Sequence, residues 1–569
     1  MSWQERTDKE QQVMIYSNRP PRELAGGAVK VIAGLPVKVW VGPSDKPTPD
    51  DVWEKMSDAE KNKLEERTME FHGKTFKVFE FPYPKSLQEA QYTRFSNELI
   101  WPMFHSMDAD SLTEPTKLAN PTHRKNFDYQ YNGDPDKDWE LYKQFNELGN
   151  NAVQQLKKRG EVTDKDLLWV HDYQNTSVKG DIYSAHSPFP PKAFVEKMTV
   201  NGKPALSYDF LQNYVKEVAS HPTITFQRPI DLKNFVETME LLDPKFRTLN
   251  PHAFKNGDAH LLPIGGHVPL KIFGKQVQAM NAPVGVVMED ELKGAQESKI
   301  DRTTFDPAGL DHMGVPYDRS KMKDGRVPIQ AVLGDLLNTD EEHRIFLAVH
   351  RNDYTKSTLE KVYAAGNYMA RHPEEKGKTH FVYFLQPTRP GVQGMDEYRK
   401  AVEDTARAFK NVWGDSITVV SEGLDHEDFR GLLRHPNVVA YLGTGRKDGH
   451  DMMVREAASV RADFPQGDPR AALAIVTTNG TGASDVVRGT KERPGAYILD
   501  SDDTNFLDTH TQLTEVITEV NKLAKTTRGK HDLAERYQAA AIGSQKYGLH
   551  FYKDQILKVA TQHQSAKIA

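Results

Sequence analysis

The feature that most constrains this chain is a set of short apolar runs, each released into a glycine-rich or charged loop: Val13–Ser17, Val37–Gly42, Leu167–His171, Ile345–His350, Val438–Leu442 and Ala471–Thr477. An uninterrupted apolar run of this length suits a strand covered on both faces. Helical periodicity follows several of them, at Ala28–Leu35, at Leu359–Arg371 and from about Ala483. Strands alternating with helices predict an α/β chain built on parallel sheets, and in such sheets ligands collect at the carboxyl ends of the strands.

With 569 residues the chain has room for two large α/β domains. Between Glu289 and Arg344 the text turns polar and aperiodic, which places an interdomain linker and an insertion there. The stretch 43–70 reads as a loop followed by a charged, solvent-facing helix, with strand-like text returning from Glu65; no chemistry is assigned to it.

Composition removes whole classes of function. A formal net charge of −6 provides no global field for nucleic acid or an anionic membrane, so an anionic substrate would need local cations. The absence of cysteine excludes disulfides, zinc–thiolate sites and thiol nucleophiles, and favours a reducing compartment. The opening MSWQERTDKEQQ has no apolar core of a secretory signal, and no run of about 18 apolar residues occurs. A soluble, cytoplasmic protein is expected. Neither a GxxxxGK[ST] loop, an HExxH helix nor a GxSxG elbow is present.

Four segments could carry chemistry. In IFLAVHRNDYTKSTLEKV a strand runs out at His350 and a helix starts near Ser357, so Arg351 and Lys356 stand beside exposed helix-start amides, a place for a diphosphate. Arg351 paired with Asp353 and Lys356 as a solvated cation is the plainer reading. In SNRPPRELAGGAVKV, Gly26 and Gly27 let backbone approach a ligand or simply make a tight turn. DLLWVHDYQ puts His171 and Asp172 at a strand end, and HSPFPP places His186 at what reads as the next; each histidine is a hydrogen-bond donor to developing charge or a satisfied structural residue. GTGRKDGHDMMVREAAS runs from a glycine loop into a helix on which Glu456 could accept two ribose hydroxyls or only favour the helix N-terminus.

In this order the segments resemble the trehalose-6-phosphate synthase family of retaining glycosyltransferases, from about Val13 to about Tyr552. YTRFSNELIWPMFH resembles its YxxFxNxxLWPxFH segment, HDYQ and HSPFP resemble HDYHL and HIPFP, and ITFQRPIDLKNF resembles GFQTxxxxxNF. MNAPVGV resembles the AFPIGI turn, VHRNDYTKS resembles VDRLDYTKG, and YFLQPTRPGVQGMDEYRKAV and DGHDMMVREAASVRAD resemble PTRxDVxEY and DGMNLVAKEYVAxR. The departures are DGHD for DGMN, Gln174 where HDYH ends in histidine, Ser357 for the glycine after DYTK, and TTNGTGASDVV for LSxFAGAA.

The resemblance implies a GT-B fold, two facing Rossmann-like domains with the active site in the interdomain cleft. It implies an N-terminal acceptor-side domain over 1–290, linker and insertion over 291–340, a nucleotide-sugar-binding domain over 341–540, and a C-terminal helix over 541–569 returning to the first domain. It implies that Arg351 and Lys356 hold the donor diphosphate, that Gly26 and Gly27 approach it, and that Glu456 holds the ribose. Asp448, Gly449, His450, Asp451 and Met452 would hold the donor sugar, and His171 would face the reacting sugar. Arg19, Tyr92, Trp101, Glu140 and, one place out of register, Arg389 would contact a phosphorylated acceptor.

The expected reaction moves a hexosyl group from a nucleotide sugar, UDP-, GDP- or ADP-glucose, to a phosphorylated acceptor, with α,α-trehalose-6-phosphate synthase as the leading reading. No cofactor and no metal are expected, and self-association into a homo-oligomer is left open. Relatives that make glucosylglycerol phosphate, a pseudoglycosyltransferase joining a cyclitol to an amino-cyclitol phosphate, and a non-catalytic regulatory homologue are the alternatives.

Overall fold

Apolar runs without alternation must be covered on both faces, and in the computed structural model they form the interior strands of two parallel sheets. The structure describes residues 12–21, 27–71, 74–106, 127–129, 131–249, 262–298, 304–305, 320, 327–338, 342–389, 391–501 and 506–568. These divide into two units, one made by 12–106, 127–284 and 549–568 and the other by 285–548.

The second unit has a six-stranded sheet in the order Ile417–Val420, Thr379–Gln386, Arg344–Arg351, Val438–Gly443, Ala474–Thr478, Tyr497–Leu499, and every pairing is parallel. Residues Arg344 to His350 are all buried, and each large apolar side chain so covered contributes roughly 1.5–3 kcal/mol. The strand order reverses between Arg344–Arg351 and Val438–Gly443. Loops leaving two such strands part in opposite directions and open a crevice at their carboxyl ends.

The first unit has a ten-stranded sheet with a parallel interior, in which Val13–Tyr16 lies between Leu167–His171 and Val37–Pro43. Antiparallel strands finish both edges. Glu65–Phe71 pairs with Lys74–Phe81, and His267–Ile272 pairs with Lys275–Asn281. Here the order reverses at Val13–Tyr16, so the carboxyl end of that strand is the corresponding crevice.

The run expected at Ala471–Thr477 becomes a strand only from Ala474, because Pro469–Ala471 closes a 3-10 turn first. The stretch 43–70 forms two short helices, Asp50–Trp53 and Asp58–Lys61, that bury nothing. The expected linker over 291–340 begins inside the helix Met288–Glu297 of the second unit. The boundary expected at 541 falls inside the helix Thr527–Lys546, and the second unit continues to Gly548. The closing helix Leu549–Ile568 belongs to the first unit, where the Tyr552 ring lies 5.6 Å from that of Trp169.

Candidate active site

At the crevice of the second unit, Arg344–Arg351 ends in Asn352 and Asp353, followed by a 3-10 turn, Tyr354–Lys356, and the helix Thr358–Arg371. Asp353 is fully buried and holds the turn by accepting from the Thr355 amide and hydroxyl, each at 2.9 Å. Its charge is met by Arg389. Arg351 itself stands half-buried at the strand end.

Lys356 is not a solvated cation. Its ammonium is buried between Asp448 and Asp451, 3.0 Å from the latter. Burial works against its charge, but the two carboxylates outweigh burial and hold its pKa above the usual lysine value. One turn along, the buried Lys361 donates to the carbonyls of Lys356 and Thr444 and to Nε2 of His350, the last two at 3.0 and 3.1 Å. Burial pushes its pKa down to about 7.

The loop after Val438–Gly443 is fastened to this turn by backbone: the Arg446 amide donates to the Thr355 carbonyl at 2.9 Å and the Asp448 amide to the Gly480 carbonyl at 3.0 Å. Gly449 is buried, and His450 Nε2 accepts from Arg455 at 3.3 Å. Asp451 caps the helix Met452–Ala457 through the Met453 amide. The carboxylate at the helix N-terminus is therefore Asp451. Glu456, fifth of six helical residues, is fully buried with an oxygen 3.6 Å from Nε2 of His426.

In the first unit, Ser17–Pro20 lies against the strand Val37–Pro43 because Gly42 has no side chain: a Cβ there would sit 2.3 Å from the Ser17 carbonyl. Arg19 donates to the Tyr92 hydroxyl at 2.6 Å, its guanidinium 5.0 Å from the ring centroid. Both line a cavity of about 310 Å³ together with Asn18, Asp45, Tyr83 and Gln91. Burial and the nearby Asp45 push the Tyr83 hydroxyl up to about 12.

Tyr92 sits on Glu89–Ile100, which is wound as a π-helix. Trp101 follows it but turns into the core, its ring 3.9 Å from His105 and 5.5 Å from Tyr173, and does not line the cavity. Nor does Glu140, which is exposed on the helix Pro135–Lys158 and pairs with Lys143 at 2.8 Å. Gly26 lies outside the described residues; Gly27 opens the helix Gly27–Ala33.

His171 ends its strand buried, with Nδ1 2.8 Å from His186 Nε2. Its Nε2 is buried without a hydrogen-bond partner among the described residues, so it is not the satisfied structural histidine of the plainer reading. Burial and the neighbouring His186 hold His171 well below the usual histidine range, and it is a neutral ring at physiological pH.

No protein-family model matches the chain. The bifunctional trehalose-6-phosphate synthase/phosphatase of Thermoproteus tenax is 22% identical over 448 residues, 76% of this chain and 47% of that protein. The 56 kDa subunit of the UDP-forming α,α-trehalose-phosphate synthase of Saccharomyces cerevisiae is 21% identical over 411 residues, 68% of this chain and 63% of that protein. The solved UDP-forming α,α-trehalose-phosphate synthase from Burkholderia xenovorans in complex with glucose-6-phosphate has a TM-score of 0.69 at 16% identity, over 97% of this chain and 100% of that one. The enzyme from Burkholderia multivorans gives 0.68, also at 16% identity, over 98% and 100%. The fold, GT-B, thus agrees with sequence relatives that cover most of the chain.

In sequence and in fold the chain is similar to trehalose-6-phosphate synthases. It spans about half the length of several curated members, 47% and 48% in two of them. Two departures from the family pattern have a visible setting. Ser357, where the family has glycine, takes a left-handed φ of 52°, a conformation that costs an L-residue about 1–2 kcal/mol. His450, where the family has methionine, is held by Arg455, whose fully buried guanidinium also donates to the carbonyls of Ser544 and Tyr547 at 2.7 and 2.6 Å.

Proposed function

We propose that the chain is a retaining glycosyltransferase that moves a hexosyl group from a nucleotide sugar to a phosphorylated acceptor, as an α,α-trehalose-6-phosphate synthase does. The observation that carries this is Lys356, a buried ammonium kept charged at a strand-order reversal with Arg351 beside it. An ammonium has three N–H donors. Two face Asp448 and Asp451, leaving one for a donor phosphate oxygen. Names of relatives, which specify UDP-forming enzymes, make UDP-glucose the leading donor.

As the glycosidic bond lengthens, negative charge grows on the departing diphosphate, and Lys356 and Arg351 are already in place to meet it without reorganisation. The sugar carbon becomes oxocarbenium-like, and the acceptor hydroxyl attacks from the face the diphosphate leaves, passing its proton to the departing phosphate oxygen. Asp448 accepts from donor hydroxyls, Glu456 takes the ribose, and the free Nε2 of His171 meets the sugar.

In the first unit, Arg19 and Tyr92 take the acceptor phosphate, and the polar walls of the 310 Å³ cavity take its hydroxyls. Because Arg351 and Lys356 supply the charge, transfer is expected to survive chelation; activity lost to a chelator and restored by a divalent cation would contradict this. Among the described residues no helix is long and apolar enough to cross a membrane, in keeping with a cytoplasmic enzyme. The reading is tested by a screen of UDP-, GDP- and ADP-glucose against glucose 6-phosphate, glycerol phosphate and glucose, with product mass and linkage determined. A non-reducing α,α-linked disaccharide phosphate is the expected product. No transfer in any combination would point to a regulatory homologue.

A further inference from the structure

Glu456 is a carboxylate with no solvent exposure, and such a charge has to be compensated nearby. The group facing it comes from another element: His426, the first residue of the helix His426–Arg434, has Nε2 3.6 Å from a Glu456 oxygen. The same Nε2 is 3.5 Å from Glu291, on the helix Met288–Glu297. Glu291 is in turn gripped by Arg430, which donates Nε–H and Nη2–H to its two oxygens at 2.7 Å each. Burial raises the Glu291 pKa, but His426 and Arg430 outweigh it and hold the carboxyl at about 2.

We infer that Arg430, Glu291 and His426 form a relay that orients and compensates Glu456, making His426 a positioning residue for the nucleotide. This rests on the proposal that Glu456 holds the ribose. Arg430 neutralises Glu291, which sets the ring of His426 so that its Nε2 faces Glu291 at 3.5 Å and Glu456 at 3.6 Å. Glu456 is thereby held in one rotamer.

An independent observation shows how closely the relay is fitted. A Cβ on Gly294, one turn after Glu291, would lie 2.0 Å from Nη1 of Arg430. The helix carrying Glu291 can accept the guanidinium only because that position is glycine. Atoms of Glu291, His426 and Glu456 come within 4.8 Å of one another, the spacing of a metal site. The bidentate grip of Arg430 on Glu291 argues for a relay of protonated donors instead.

The experiment measures binding of UDP, GDP and ADP to the full chain, carrying forward the tightest, alongside inorganic pyrophosphate, which has no ribose. His426→Ala should weaken the nucleotide about tenfold and leave pyrophosphate within twofold. His426→Gln, whose amide can replace Nε2–H, should stay within threefold of wild type. Gly294→Ala should weaken the nucleotide severalfold from a position that touches no substrate. If Glu456→Gln weakens the nucleotide and His426→Ala does not, the relay is wrong and the ribose assignment stands. If Glu456→Gln has no effect, the ribose assignment itself fails. Equal weakening of nucleotide and pyrophosphate by His426→Ala would mean a general structural role and overturn the inference. So would a rise in melting temperature with zinc that is abolished in His426→Ala, which would make the cluster a metal site.

Discussion

The two units bring their candidate substrate groups to the same place in the topology, the carboxyl end of a strand where the order reverses, but prepare them differently. In the second unit the charges are buried and matched in advance: Lys356 by Asp448 and Asp451, Asp353 by Arg389, Glu291 by Arg430. In the first unit Arg19 is exposed, it donates to the hydroxyl of Tyr92, and it lines an open cavity rather than a sealed pocket. A buried, compensated constellation resists rearrangement and suits charge that appears only in the transition state, whereas an exposed cation beside polar walls suits selection among acceptors. The donor half should therefore govern rate, and the acceptor half specificity.

The sharpest way to break that division is Lys356→Ala. Turnover should fall by roughly 10²–10³-fold, the scale for loss of one preorganised charge-stabilising donor. Leaving Asp448 and Asp451 buried without their cation should also remove about 3–5 kcal/mol of stability, read from urea unfolding. Turnover unchanged in a folded variant would take the donor site away from Lys356. Arg19→Ala is the counterpart. It should lower kcat/KM for a phosphorylated acceptor by roughly 10–100-fold, equivalent to a charged hydrogen bond of about 1.5–3 kcal/mol, while the same sugar without phosphate reacts as before. Wild-type enzyme that treats the two acceptors alike would remove the phosphate site.

Smaller effects sharpen the picture within the donor half. Glu456→Gln should weaken nucleotide binding about tenfold, since an amide is a poorer acceptor for two hydroxyls than a carboxylate, with calorimetry as the readout. A prediction on stability rather than on binding concerns Lys361. Its folded pKa of about 7 lies below the ordinary lysine value of about 10.4. Between these limits the unfolded chain binds a proton that the folded chain does not, so stability rises with pH. Below about pH 7 both states are protonated and the slope vanishes. Relative to Lys361→Met, wild type should gain stability as pH goes from 7 to 10, measured as urea midpoints; parallel curves would show that the lysine is protonated in both states.

The interior strands were legible because strands covered on both faces leave uninterrupted apolar text: Leu167–His171 is found with the expected ends, and Ile345–His350 is extended by one residue at each. The antiparallel pair His267–Ile272 and Lys275–Asn281 was not, since these strands set lysines and glutamines among their buried residues and leave no uninterrupted apolar run. Within the site, Lys356 and Glu456 could be named from local spacing, but their partners could not. Asp448 is 92 residues from Lys356, and Arg430 is 139 from Glu291. Such pairings are properties of the folded topology, and no local pattern announces them. Trp101 and Glu140 show the converse: a matching segment fixes where a residue falls in an element, and packing decides whether its side chain reaches a cavity.

The return of the last helix to the first unit has a consequence for how the protein is made. Trp169, in the middle of that unit's sheet, has Tyr552 against it. The ribosome delivers that tyrosine about 400 residues later, about 20–80 s at ~5–20 residues per second. The unit that starts the chain is thus the one completed last. During that interval the second unit, whose sheet strands all lie between 344 and 499, can finish that sheet, and the surface destined for Leu549–Ile568 waits uncovered. Nascent chains halted at Gly548 should accordingly hold a protease-resistant second unit attached to a first unit that is still susceptible.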